Sequence, residues 1–155
     1  MKRRVIEKRS SSVAYWDSRI LFLLLLGVLV GCGDGRPARV AVGGQVTVEG
    51  KTLACGAVRF KPVEGGRTGG SSIDPQGQYS VSMYEANDGL APGTYTVSID
   101  SSENVGSASL RWHAPKKYAE PSTSGLKVEI TEATAELNFD LTWEGDRHSK
   151  PWVEK

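Results

Sequence analysis

From residue 40 onward, apolar and polar side chains alternate with period two in one segment after another. Each segment is bounded by Gly, Pro, Asn or Asp, and no helical period competes. Val40, Val42, Val46 and Val48 share a parity, with Gly43-Gly44 between them as a bend or bulge. Val58, Phe60 and Pro62 point one way, and Arg59 and Lys61 the other. The same alternation places Tyr79, Val81 and Met83 on one face, then Tyr95, Val97 and Ile99, then Leu126, Val128 and Ile130, then Leu137, Phe139 and Leu141. That makes six strands. A weaker one is expected within residues 66–73, and Ala108, Leu110 and Trp112 suggest another. Glu49-Gly50-Lys51 is expected to join the first two strands as a tight hairpin. Half-polar strands do not make a doubly covered parallel sheet, so they must bury their apolar faces against one another. The expected fold is all-β, an antiparallel β-sandwich of seven strands over residues 40–141. Residues 101–125 form a long connection with little pattern, either packed over an edge or functional.

The chain ahead of this pattern is of another kind. Residues 20–30 run Ile-Leu-Phe-Leu-Leu-Leu-Leu-Gly-Val-Leu-Val without a charge, after a basic stretch. Eleven residues cover about 16 Å as a helix, whereas a membrane span needs about 20 residues, so the run is expected to be a signal-peptide core and not an anchor. Of the chain's 19 basic and 18 acidic residues, six basic and two acidic lie in residues 1–31, which leaves thirteen basic against sixteen acidic beyond them. A mildly acidic remainder argues against a nucleic-acid partner.

Leu29-Val30-Gly31-Cys32 resembles the lipobox of bacterial lipoproteins. The resemblance implies a diacylglyceryl group on the Cys32 thiol and cleavage before it, so that its amine becomes the new terminus. Two or three acyl chains, at about 0.8 kcal/mol per buried methylene, hold a protein on a membrane essentially permanently. Gly33 follows where sorting rules put Asp for inner-membrane retention, so the expected location is the outer membrane of a bacterial envelope. Arg3-Arg4 is similar to a twin-arginine signal, but Glu7 stands where that signal wants an apolar residue, which favours the general secretory route. Residues 32–39 are read as a lipidated tether whose seven extended residues after Cys32 reach roughly 23 Å. Residues 142–155 are read as a polar, mobile tail.

Gly44-Gln45-Val46, Glu49-Gly50-Lys51 with Leu53, Gly56-Ala57-Val58-Arg59-Phe60, Asp74-Pro75-Gln76-Gly77 before Tyr79, and Pro92-Gly93-Thr94-Tyr95-Thr96-Val97 together resemble the carboxypeptidase regulatory-like family. That family has a transthyretin-like (prealbumin-like) seven-stranded sandwich. Asp74 is suited to accept bonds from amides two or three residues on, and Gly77 to take the positive φ that closes the turn. The later stretch from Pro115 to Leu126 is similar to an extension in short bacterial lipoproteins of this kind. The resemblance carries no catalytic residue, because the carboxypeptidase metal lies in a separate domain. Hydroxyisourate hydrolase, another transthyretin-like protein, ends in Tyr-Arg-Gly-Ser, whereas residues 151–155 read Pro-Trp-Val-Glu-Lys.

The remaining chemistry is sparse. His113 and His148 lack zinc-ligand spacing, so no metal is expected. With Cys32 acylated, Cys55 has no internal disulfide partner and is read as a packing residue, with an intermolecular bridge left open. No G-x-S-x-G elbow occurs, and residues 65–70 (Gly-Gly-Arg-Thr-Gly-Gly) read as a flexible connection, not a phosphate loop. Glu85, Asn87 and Asp88 suggest oxygen ligands for calcium, with loop polarity the blander reading. Trp112, Tyr118, Trp143 and Trp152 lie outside the clear strands. Trp112 and Tyr118 are the candidate ligand-binding residues, for a glycan or cell-wall peptide, against the reading that they pin the long connection to the sandwich. The expectation is a non-enzymatic lipoprotein without a cofactor, held to the membrane through Cys32 and serving a structural or protein-interaction role. Its alternative is a carbohydrate- or cell-wall-binding module.

Overall fold

A computed structural model describes residues 35–106, 109–146, 148 and 150–154. The expected signal segment, Cys32 and Ala108 lie outside the described residues. From Pro37 the chain forms one compact unit. It is all-β, and the only helical element among the described residues is a 3-10 turn, Lys116–Tyr118.

Eleven strands occur there: β1 (Gly43–Val48), β2 (Lys51–Thr52), β3 (Ala57–Pro62), β4 (Gly69–Ser72), β5 (Gln78–Ser80), β6 (Gly93–Asp100), β7 (Ser102–Gly106), β8 (Ser109–Trp112), β9 (Leu126–Ile130), β10 (Phe139–Leu141) and β11 (Trp152–Glu154). They make three sheets. In the first, β1 lies between β10 on one side and β5 and β2 on the other; the second runs β4-β3-β6-β9, and the third β11-β8-β7.

Alternation explains how the first two sheets meet. Val46 and Val48 of β1, Val58 and Phe60 of β3, and Tyr95, Val97 and Ile99 of β6 are buried, while Arg59 and Lys61 face solvent. Phe60 bridges the layers, with its ring centroid 6.1 Å from that of Tyr79 and 6.4 Å from that of Phe139. Tyr79 and Phe139 stack across β1 at 6.2 Å. The Tyr79 hydroxyl donates to the Leu137 carbonyl, and burial pushes its phenol pKa well above the ordinary range. Full burial of such aromatic and aliphatic side chains stabilises a fold by roughly 1.5–3 kcal/mol each. At one edge the layers are also laced together, since the Gly70 and Ser82 backbones exchange bonds of 3.0 and 2.9 Å.

Three features depart from the sequence expectation. The hairpin turn is where the sequence places it, with Glu49 at φ 51° and Gly50 at φ 74°, both positive as a type I′ turn requires. It returns, however, into the two-residue β2, and β3 then belongs to the second sheet. Second, the β1–β10 pairing is parallel, with Val46 opposite Phe139 and Val48 opposite Leu141. Third, the expected tail contributes β11, which pairs antiparallel with β8. Gly44 is neither a bend nor a bulge. It lies inside β1, and a Cβ there would sit 2.2 Å from the Leu137 carbonyl oxygen, so the missing side chain is what lets residue 137 approach.

Two aspartates fasten the loops of the first sheet. Asp140 accepts from the Thr47 hydroxyl at 2.6 Å and the Gly50 amide at 2.9 Å, which together hold its carboxyl below the ordinary carboxylate range. Asp74 accepts from the amides of Gln76 and Gln78, both at 2.8 Å, and Gly77 turns at φ 76°.

Candidate functional site

The long connection is a built element. It folds as the β7–β8 hairpin, the 3-10 turn and a further turn at 121–123. Trp112 is only 6% exposed and Tyr118 only 7%, which corrects the reading of both as exposed ligand platforms. The Trp112 ring stacks on Trp152 at 6.4 Å, its Nε1 donates to Glu154 at 3.0 Å, and the Lys116 ammonium lies 5.3 Å from its centroid. The Tyr118 hydroxyl accepts from the Thr142 amide at 3.3 Å. These contacts dry the two rings and pin the connection, which is the arrangement that keeps large amphipathic side chains satisfied indoors.

The calcium reading of residues 85–88 fails for a similar reason. Asp88 accepts from the amides of Met83 (2.6 Å), Tyr84 (3.1 Å) and Glu85 (3.0 Å), and its Oδ2 pairs with Arg39 Nε at 2.9 Å. Desolvation alone would raise its pKa, but the amides and then the guanidinium outweigh it and hold the carboxyl below its usual value. Its oxygens already have donors. Tyr84 lies between two guanidinium groups, Arg39 at 5.1 Å and Arg67 at 4.8 Å from the ring centroid. No group of three or more metal-ligating side chains is present among the described residues.

His113 and His148 are apart in role. His113 Nε2 lies 3.2 Å from the Glu103 carboxylate, which also faces Arg111 at 3.5 Å, so both side chains brace the β7–β8 hairpin. The His148 ring stacks on Trp152 at 3.8 Å. Cys55 is exposed, against the expectation of a packing residue, with Sγ 3.5 Å from Ser101 Oγ. Residues 65–70 divide between a glycine turn and the start of β4.

Cys55 helps to line a cleft of about 800 Å³, within the usual range for ligand sites. Residues 51–55 line it together with Ser102, Glu103 and His113. Trp143, Lys150 and Pro151 also line it. The sequence alone did not indicate this cleft, because its walls come from segments about 50 residues apart in the chain. Its only forward signal was Glu49-Gly50-Lys51, which fixes where the 51–55 segment departs from β1. No family model, curated protein or solved structure matches this chain.

Proposed function

We propose that this chain is a lipid-anchored protein of the bacterial envelope, held in the outer membrane through Cys32, whose β unit is a non-catalytic interaction module. The carrying observation is the lipobox-like Leu29-Val30-Gly31-Cys32 followed within a few residues by a compact unit that begins at Pro37. Val40 already exchanges backbone bonds of 2.8 and 3.0 Å with Leu90, so little slack separates an anchor on Cys32 from ordered structure. Set aside the two-residue β2, and the two facing sheets hold β1, β5 and β10 against β4, β3, β6 and β9. Seven strands around one core support the transthyretin-like, carboxypeptidase regulatory-like reading. The polar groups with known partners around the cleft brace loops: Glu103 holds His113 and Arg111, and Ser101 Oγ donates to the Cys55 carbonyl at 2.7 Å. A recognition role for the cleft fits these commitments better than a reaction centre.

Metabolic labelling of expressing cells with an alkyne fatty acid tests the anchor. The wild-type chain is expected to take the label and Cys32→Ala to lose it. A label that persists in the variant, or never enters the wild type, overturns the assignment.

A further inference from the structure

The cleft has the features of a peptide groove, and they come from the backbone as much as from side chains. Val48 and Lys51 flank the two-residue turn and face each other across the ladder, and the Leu53 amide donates back to Val46 at 3.1 Å. In an antiparallel ladder, inward and outward backbone groups alternate along a strand. The amide and carbonyl of Thr52 therefore point away from β1. Continued extension would turn those of Ala54 the same way. Both residues are exposed, and β2 is an outer strand of its sheet. Such an edge is a template for another strand. β2 itself is two residues long, about 7 Å, and the Leu53 bond carries its pairing one residue further, so the edge suits two or three residues of an added chain.

The side chains narrow the occupant. Val48, Leu53 and Trp143 give the cleft an apolar lining. Lys51 and Lys150 stand at its rim with no carboxylate in ion-pair range among the described residues, while Glu49 offsets one of them. Glu103, which also lines the cleft, is already matched by Arg111. One positive charge is left over. Trp143 is the one Phe, Tyr or Trp side chain here and is nearly buried, so it gives a sugar ring no broad face to stack on.

We propose that this cleft binds an extended peptide bearing a carboxylate and an apolar side chain, added as a further strand along residues 52–54. Main-chain bonds supply the affinity, the apolar lining takes alternate side chains, and the lysines choose an acidic residue or a terminal carboxylate. The inference rests on the interaction reading of the β unit, and it names the partner's chemistry.

The test is selection of a phage-displayed library of random nine-residue peptides on the immobilised full-length chain in detergent, followed by fluorescence anisotropy of the enriched sequences. Enriched peptides are expected to carry Asp, Glu or a free C-terminus beside an apolar residue. Thr52→Pro removes only an outward donor on an edge strand, a position where proline is tolerated. It is expected to weaken binding about tenfold, while Thr52→Ala, which keeps the amide, stays within about twofold. Lys51→Glu with Lys150→Glu is a surface change that leaves the core alone, and it is expected to abolish binding of the acidic peptides. The proposal is overturned if no sequence is enriched over the bare support, or if enriched peptides bind Thr52→Pro and the charge-reversed chain as they bind wild type. Displacement of the enriched peptides by a soluble glycan, or closure of the edge by a second copy of the chain in light scattering, overturns it as well. Loss of peptide binding with fatty-acid labelling intact removes this inference and leaves the anchor. Peptide binding without labelling does the reverse.

Discussion

Gly44→Ala tests whether close backbone approach, rather than a bend, is why glycine occupies the second position of β1. The added Cβ would lie 2.2 Å from the Leu137 carbonyl oxygen, 2.5 Å from its carbon and 3.0 Å from its nitrogen. All three atoms are backbone, so relief needs the 137–138 segment to retreat. That segment is tied by Leu137 N to Gly43 O at 3.0 Å, by Gln45 N to Asn138 Oδ1 at 2.8 Å, and by the Tyr79 hydroxyl to Leu137 O. Losing three bonds at about 1 kcal/mol each, with about 1–2 kcal/mol of overpacking strain, amounts to about 4–5 kcal/mol. Reduced unfolded-state entropy returns about 0.4–1 kcal/mol. The net is about 3–4.6 kcal/mol, a fall of roughly 12–18 °C in Tm for a unit of this size. Gly50→Ala is the control. No atom lies within 4 Å of its added Cβ, and only its φ of 74° opposes the change, at about 1–2 kcal/mol. Thermal unfolding of residues 37–155, followed by circular dichroism and calorimetry, separates the two. A Gly44→Ala fall below about 4 °C, or one no larger than that of Gly50→Ala, refutes the close-approach argument.

Other outcomes follow from the same contacts. Asp88 and Asp140 have folded pKa values held below the ordinary carboxylate value, so the stability they contribute is present above about pH 4 and is lost as pH falls through their folded values. Urea titrations at pH 7 and pH 3 are expected to show a smaller acid loss for Asp88→Asn with Asp140→Asn than for wild type, and equal losses would refute the linkage. Trp112→Ala removes the stack on Trp152 and the bond to Glu154, and hydrogen exchange is expected to speed up at residues 152–154 while Val58 and Val97 stay protected. Unchanged exchange in β11 would count against the pinning role of Trp112. Tyr118→Phe leaves the Thr142 amide without its acceptor and is expected to cost about 1 kcal/mol by chemical denaturation.

The central strands were legible because each carries its own record of inside and outside. Val58 and Phe60 against Arg59 and Lys61, or Tyr95, Val97 and Ile99 in β6, declare a buried face from local spacing alone. The Asp74 turn was legible for the same reason, since donors and acceptor lie within four residues. What escaped has no local record. All five residues of β7 are exposed, so no alternation marks it. β11 reads as a charged tail until Trp112 and Lys116, about 40 residues earlier, meet Glu154. Trp112 and Tyr118 were singled out as ligand-binding candidates and are instead buried, because a ring's place in a connection says nothing of what folds over it. The cleft escaped entirely because the segments that line it become neighbours only through tertiary folding.

The pairing of β1 with β10 bears on when this unit becomes a folded object at all. β1 is the innermost strand of its sheet, yet one flank is filled by residues 139–141, with the Gln45 amide bonded to Asn138 across 93 positions. A chain that emerges from its N-terminus carries β1 half-dressed until nearly all the rest has followed. Contacts closed over such distances are reached slowly, since the entropy of the intervening loop must be lost first. Of the strands in the two facing sheets, β10 is the last in chain order, so a chain cut short of residue 141 leaves that flank of β1 open.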